Sequence, residues 1–165
     1  MYAVAAIAVI AGYFVYQWWH NPGRAVERRL GEVAAALSAP DQEPEVARVT
    51  RLAQLRRYLA DDVRVRAGAS GPEAASRDVV LGLVAGWPAP PGGRVVRFVD
   101  VQITMESDAA ARAYMTVELS GADSRTGQPT LDAREANVGL ELRGGDWLIT
   151  NAEQRDTLEK AGSSR

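Results

Sequence analysis

The sequence predicts an α+β fold in which three helices pack on one curved antiparallel sheet, behind a single transmembrane helix. Residues 94–153 contain three long segments and a shorter fourth in which apolar and polar residues alternate, a pattern typical of antiparallel strands. Three earlier stretches place apolar residues three and four positions apart, which indicates amphipathic helices. The first 19 residues carry no charged side chain. Together these patterns predict one cone-like domain with an N-terminal anchor.

Length and composition exclude several classes of function. The 165 residues suffice for one domain, and the net charge of -2 gives no excess of positive charge for nucleic acid. The sequence has no cysteine, which excludes disulfides and thiolate chemistry. Its one histidine, His20, precedes the predicted domain. A His–Asp dyad, a Ser-His-Asp triad and a His-rich metal site are therefore excluded from that domain, and we expect no cofactor.

Residues 1–20 are predicted to form a signal-anchor helix in the cell membrane. About 20 apolar residues span a bilayer as a helix, and Tyr13, Tyr16 and the adjacent Trp18-Trp19 suit its interface. The alternatives are a buried core helix and a cleaved signal peptide, but no Lys or Arg precedes the apolar run. Arginines after the anchor favour a cytoplasmic domain. Because long domains translocate regardless of charge, we expect a single-pass protein with its domain on the periplasmic side.

Residues 21–157 form the predicted domain, and residues 158–165 are expected to be a disordered tail. Its first helix should begin at Asn21-Pro22, since Asn caps helices and Pro suits the first turn. A second helix is expected over residues 44–62 and a third over residues 73–87. Their expected apolar faces contain Val46, Val49, Leu52, Leu55 and Leu59, and Val79, Val80, Leu83, Val84 and Trp87.

The predicted strands comprise a short one at residues 63–67 and the four of the main sheet. Alternation in the first long strand places Asp100 opposite the apolar face. The residues expected to face inward from the three long strands are Val95, Val99, Val101, Ile103 and Met105, then Ala113, Met115, Val117 and Leu119, then Ala136, Val138, Leu140 and Leu142.

The order of these elements resembles the NTF2-like superfamily, which includes the SnoaL-like domains. The segment RLAQLRRYLADDVRVRAG resembles that family's second helix and first strand, ASRDVVLGLVAGW its next helix, and GGDWLITNAE its last strand. The resemblance covers residues 22–157. It implies a cone-shaped fold, a pocket between sheet and helices, and a homodimer through the outer sheet face. The fold hosts isomerases, dehydratases, cyclases and many proteins that are not enzymes.

Catalytic candidates are few. Enzymes of this family commonly place an aspartate and a histidine or tyrosine in the pocket, and here Asp100 and Tyr58 are the weak candidates. A simpler interpretation puts Asp100 on the solvent or dimer face and lets Tyr58 pack with a wet hydroxyl. Tyr114 fits a paired sheet surface better than a pocket.

An apolar ligand site is the other candidate. Aliphatic side chains dominate the inward face, and with Trp87 they either line a cavity or fill a core. The expected ligand-binding residues are Trp87, Val101, Ile103, Met105, Met115, Val117 and Val138.

The sequence therefore favours a membrane-anchored, non-catalytic binding or assembly module. One alternative is a binder of an apolar small molecule. Another is a histidine-free isomerase or dehydratase that uses Asp100 and a tyrosine.

Overall fold

The computed structural model describes residues 22–68, 71–87, 89–123 and 125–155. The predicted membrane span and the tail at residues 158–165 lie outside these residues. Among the described residues, no helix is long and apolar enough to cross a membrane. The helices are α1 (Pro22–Leu37), α2 (Glu45–Tyr58) and α3 (Arg77–Ala85). The strands are β1 (Leu59–Arg66), β2 (Glu73–Ala74), β3 (Val95–Ser107), β4 (Ala110–Ala122), β5 (Pro129–Arg143) and β6 (Asp146–Gln154).

The strands form one curved six-stranded sheet in the order β2-β1-β6-β5-β4-β3. Neighbouring strands are antiparallel except β1 and β6, which pair in parallel. The prediction of a wholly antiparallel sheet is therefore wrong at this pair. Parallel partners need a long connection, and here β3, β4 and β5 separate β1 from β6 along the chain.

The helix boundaries differ from the prediction at two places. Helix α1 begins at Pro22, as expected. Helix α2 ends at Tyr58, not at Asp62, because Leu59 is already extended and pairs with Ile149 of β6. Helix α3 begins after Ser76, whose side chain accepts a hydrogen bond from the backbone of the first turn. The four residues before Arg77 include the two-residue strand β2 instead of a helical turn.

Helix α1 carries the helical part of the core, with Val26, Leu30, Val33, Ala34 and Ala36 buried. The expected apolar faces of α2 and α3 are correct only in part: Leu55, Leu59 and Val80 are buried as expected. Val46 is 78% exposed and Leu83 is 63% exposed, and Val49 and Val79 also face solvent. Helical spacing identified these helices but did not distinguish the apolar positions that pack into the core from those that face solvent.

A β-bulge in β3 reverses its predicted alternation. Val99 pairs with Thr116 and Gln102 with Tyr114, so both Asp100 and Val101 lie opposite one residue of β4. Asp100 has a φ of 52°, in the left-handed region that Asp tolerates better than most residues. Before the bulge Val96 is buried and Val95 is 49% exposed, so the predicted inward positions of Val95 and Val99 are wrong.

The two ends of the sheet differ. We call the end with the β3–β4 and β5–β6 turns, at residues 107–110 and 143–146, the closed end. The end with the β4–β5 loop at residues 123–128 is the open end. Toward the closed end and through the middle, buried side chains fill the space between α1 and the sheet. Leu30, Leu55, Met115, Leu140, Val26 and Val63 are its largest fully buried residues.

Candidate functional site

A cavity of about 360 Å³ lies at the open end, between the concave sheet face and the helical layer. Its larger apolar walls are Leu37, Val65, Trp87, Val96, Val117 and Leu119. They come from α1, from β1, from the segment after α3, and from β3 and β4. Ala136 and Ala152 line it from β5 and β6, where small side chains leave space. We expected the inward face either to fill a core or to line a cavity. The structure has both, with a filled core toward the closed end and a cavity at the open end.

Arg94 fixes one wall of this cavity. It is only 2% exposed, although an arginine is rarely buried. Its Nε–H donates to the carbonyl of Leu37 at 3.2 Å, and its Nη1–H donates to the carbonyl of Trp87 at 3.2 Å. The guanidinium carbon lies 3.6 Å from the centroid of the Trp87 ring, a close cation–π contact. Arg94 therefore joins the end of α1 to the segment that carries Trp87.

An ion pair between Arg51 and Glu43 lies beside Arg94. Glu43 accepts two hydrogen bonds from Arg51, at 2.8 and 2.9 Å, and Arg51 also donates to the carbonyl of Ala36 at 2.9 Å. The hydrogen bond from Arg51 lowers the pKa of Glu43. Burial lowers the pKa of Arg94, and the charge of Arg51 adds to that effect. One carboxylate thus sits close to two guanidinium groups behind the cavity wall.

The cavity mouth is polar. Asp132 and Arg134 lie on β5 at positions paired with Leu119 and Val117, and Arg134 Nε is 2.9 Å from Asp132 Oδ2. Arg66 at the end of β1 is ion-paired with Glu73.

Glu153 pairs in register with Arg66, and Glu135, Gln154 and Ala67 complete the lining. The hydrogen bond that Arg66 donates to Glu73 raises the pKa of Arg66 and lowers the pKa of Glu73. The site therefore has an apolar interior and a rim of paired charges.

The predicted ligand-binding residues divide into three groups. Trp87 and Val117 line the cavity. Met115 and Val138 are buried in the filled core. The remaining three are partly buried against that core, on β3 beyond the bulge: Val101, Ile103 and Met105.

The two weak catalytic candidates do not meet at the cavity. Asp100 is exposed at the bulge in β3. Tyr58 is half-buried near the closed end, where its ring lies 4.8 Å from the guanidinium carbon of Arg29. Tyr114 is half-buried in β4, and a hydrogen bond with Glu135 raises its pKa. Among the described residues, no group of three or more His, Cys, Asp or Glu side chains could hold a metal ion.

Three functional candidates were missed from the sequence. Asp132 and Arg134 have the same period-two spacing as Ala136 and Val138, which places both charged residues at inward positions of β5. This spacing could have identified them from the sequence. Arg94 looked like the polar start of a strand. Its burial depends on the Ala39–Arg94 bridge between distant loops, which local patterns do not show.

Comparison with known proteins supports the fold. No family model matches the chain, and no curated protein matches it. An NTF2-like protein with a cystatin-like fold from Novosphingobium aromaticivorans is 9% identical, with 92% of each chain covered and a TM-score of 0.69. A hexachlorocyclohexane dehydrochlorinase is 14% identical, over 81% of this chain and 84% of that one, with a TM-score of 0.64.

The association domain of C. elegans CaMKII is 8% identical, over 81% of this chain and 95% of that one, with a TM-score of 0.63. Identities this low show the fold alone. The described part of the chain has the NTF2-like cone fold, with three helices on a mixed six-stranded sheet. The structural neighbours include an enzyme and an association domain, so the fold by itself does not select a function.

Proposed function

We propose that this protein is a non-catalytic binding module that holds an apolar small molecule in the open end of its cone. The observation that carries this proposal is the cavity of about 360 Å³, which lies within the size range of small-molecule sites. Its walls are aliphatic side chains and Trp87, and its charged groups are confined to the mouth. Such a site buries the apolar body of a ligand and leaves a polar end in water.

The positions of the acid–base candidates support binding over catalysis. General acid–base catalysis needs a titratable group within hydrogen-bond reach of the substrate. Asp100 is exposed on β3 and Tyr58 lies near the closed end, so a molecule in the cavity contacts neither. The carboxylate of Asp132 at the mouth is engaged by Arg134.

Burial of apolar area supplies the affinity. At roughly 25 cal/mol per Å², a ligand that buries about 200 Å² of apolar surface gains about 5 kcal/mol. That corresponds to a Kd of about 0.2 mM before the entropic costs of binding. Ligands with more buried area bind more tightly, and a ligand retained through purification needs several hundred Å².

The test is native mass spectrometry of the full chain, compared with two variants that fill the cavity from opposite walls. Val117→Trp acts from β4 and Ala152→Phe from β6. We expect extra mass on the wild-type chain that disappears on denaturation and is reduced in both variants. Circular dichroism confirms that each variant is folded. A folded wild-type chain that retains nothing, and that takes up no added apolar dye, would refute the proposal.

We further propose that residues 1–20 anchor this module in the cell membrane with the domain on the periplasmic side. The support is the uncharged 19-residue run and the aromatic residues at its end. Because the chain lacks cysteine, a single cysteine replacing Ser164 reports topology. An impermeant thiol reagent should label it in cells with a permeabilised outer membrane. Labelling only after lysis would refute the periplasmic orientation.

Assembly through the outer sheet face is a second candidate function. The observation that favours it is the outer row of β4, where Tyr114, Thr116 and Glu118 are half-buried already in a single chain. A homodimer through this face would cover that row. The CaMKII association domain with the same fold makes such a role reasonable. Native mass spectrometry should show a dimer that Tyr114→Arg weakens; a monomer at all concentrations would exclude it.

A further inference from the structure

The charges at the cavity mouth define the class of ligand that the proposed site accepts. We infer that the cavity takes neutral or cationic apolar molecules and disfavours anionic ones, and that Asp132 sets this preference by occupying Arg134. This inference rests on the proposed binding function. It concerns the polar end of the ligand, whereas the proposed function concerns the apolar body.

Both mouth arginines are already engaged by carboxylates. Arg134 donates through Nε to Asp132 at 2.9 Å, and Arg66 is ion-paired with Glu73. An anionic headgroup that binds either guanidinium would therefore lie within a few ångströms of the carboxylate that already neutralises it, since that carboxylate is on the same strand or on the paired one.

Carboxylates also outnumber arginines at the mouth. Among the residues that line the cavity, Arg66 and Arg134 contribute two positive charges, and Asp132, Glu153 and Glu135, which is hydrogen-bonded to Tyr114, contribute three negative charges, which leaves a formal charge of -1. Glu153 lies beside Arg66 in the register of β1 and β6 and strengthens the negative side. A carboxylate, sulfonate or phosphate at the mouth therefore meets net repulsion. A hydroxyl, carbonyl or ammonium group does not.

The effect is moderate, because the pair is half-exposed and solvent screens it. The side chains of Arg134 and Asp132 are 55% and 52% exposed. For a unit charge at several ångströms in this setting we expect about a three- to tenfold difference in Kd at low salt. The difference should shrink as salt is added, whereas binding of a neutral ligand should be insensitive to salt.

Two dyes that differ only by one anionic group test the inference. N-phenyl-1-naphthylamine is neutral, and 8-anilino-1-naphthalenesulfonate is its sulfonated counterpart; both fluoresce in apolar sites. The full chain is measured in an amphipathic-polymer carrier, with the Val117→Trp chain in the same carrier as the blank. The wild-type chain should bind the neutral dye about three- to tenfold more tightly than the sulfonate.

The variant that isolates the cause is Asp132→Asn, which releases Arg134. We expect it to raise the affinity for the sulfonate, relative to the affinity for the neutral dye, about three- to tenfold. The matched control is Glu106→Gln. Like Asp132, Glu106 is paired with an exposed arginine, Arg112 of the neighbouring strand, but this pair lies away from the cavity. That control should change neither affinity.

The outcomes separate the two proposals. If neither dye distinguishes the wild-type chain from Val117→Trp or Ala152→Phe, the binding function itself fails. If the neutral dye binds but the sulfonate binds as tightly or more tightly, the ligand class is wrong. If Asp132→Asn and Glu106→Gln shift the sulfonate equally, the preference exists but Asp132 does not set it.

Discussion

Replacing Arg94 by methionine tests whether the buried arginine holds the cavity wall in place. Methionine keeps an apolar stem of similar length but removes the guanidinium. The carbonyls of Leu37 and Trp87 then lose their charged donors, which are 3.2 Å away. The contact with the Trp87 ring at 3.6 Å is lost as well.

The magnitude follows from these contacts. A hydrogen bond from a charged donor contributes about 1.5 kcal/mol at the weak end of its range, so two contribute about 3 kcal/mol. A desolvated cation–π contact adds about 1 to 2 kcal/mol. Arg94 also has a cost, because burying its charge near Arg51 destabilises the folded wild-type protein by several kcal/mol. The variant removes this cost, which offsets part of the loss. We expect a net destabilisation of about 2 kcal/mol, or a decrease in Tm of about 8 °C for a domain of this size.

Urea unfolding followed by circular dichroism measures the change in the free energy of unfolding. The control is Arg97→Met, because Arg97 lies three residues after Arg94, on β3, and is exposed. We expect that control to change stability by less than about 0.5 kcal/mol. Arg94→Met should also weaken binding of the neutral dye, since Trp87 loses its support. Equal stability of the two variants would refute the assignment of Arg94 as a structural clamp.

Three further changes test the core and its ion pairs. Because Arg51 lowers the pKa of Glu43, their ion pair contributes stability above about pH 4.3, and this contribution is lost as the pH falls through the folded-state pKa of Glu43. The free energy of unfolding should therefore decrease at acid pH, and we call this decrease the acid limb. Urea titrations at several pH values should show that Glu43→Gln flattens it. In Gly139→Ala, the new Cβ would lie 2.4 Å from the side-chain nitrogen of Asn151, so we expect a loss of about 1 to 2 kcal/mol that Asn151→Ala partly restores. Gly31→Ala meets no atom within 4 Å inside α1 and should raise the free energy of unfolding by about 0.5 to 1 kcal/mol. An unchanged acid limb, a Gly139→Ala variant that is not destabilised, or a Gly31→Ala variant that is not stabilised would contradict these assignments.

The sequence predicted the order of the elements because each strand and helix carries its own periodicity. It failed where long-range pairing decides. Leu59 and the two residues after it continue the helical pattern of α2, but pairing with Ile149 of β6 makes Leu59 extended. Propensity is a weak prior, and a buried sheet position overrides it.

The site was predicted less well for a related reason. One extra residue at Asp100 reverses the faces of β3, because side chains alternate with a period of two. The prediction carried the alternation from Val101 back to Val99 and Val95 without the extra residue of the bulge. It therefore assigned both valines to the wrong face. In β4 and β5, which have no such interruption at the cavity, the inward positions of Val117 and Ala136 were predicted correctly. Asp132 and Arg134, which line the cavity mouth, were missed because a search for apolar periodicity passes over charged residues.

The beginning of α1 and the cavity lie at opposite ends of the domain. Arg29 of α1 bonds Asp146 in the β5–β6 turn at the closed end, whereas Leu37 lines the cavity. Only residue 21 separates α1 from the predicted span, so for the proposed anchored form we expect the closed end toward the bilayer and the mouth away from it. The 13 residues of β4 put these ends about 40 Å apart along the strand.

Fluorophores on single cysteines distinguish the two orientations, since the chain has no other cysteine. Asp108→Cys marks the closed end and Arg125→Cys the open end, and both positions are exposed. In liposomes whose lipid headgroups carry a nitroxide quencher, we expect quenching at residue 108 and little at residue 125. A ligand would then reach the mouth from the aqueous phase. Stronger quenching at residue 125 would instead place the mouth on the bilayer and make the membrane the source of the apolar ligand.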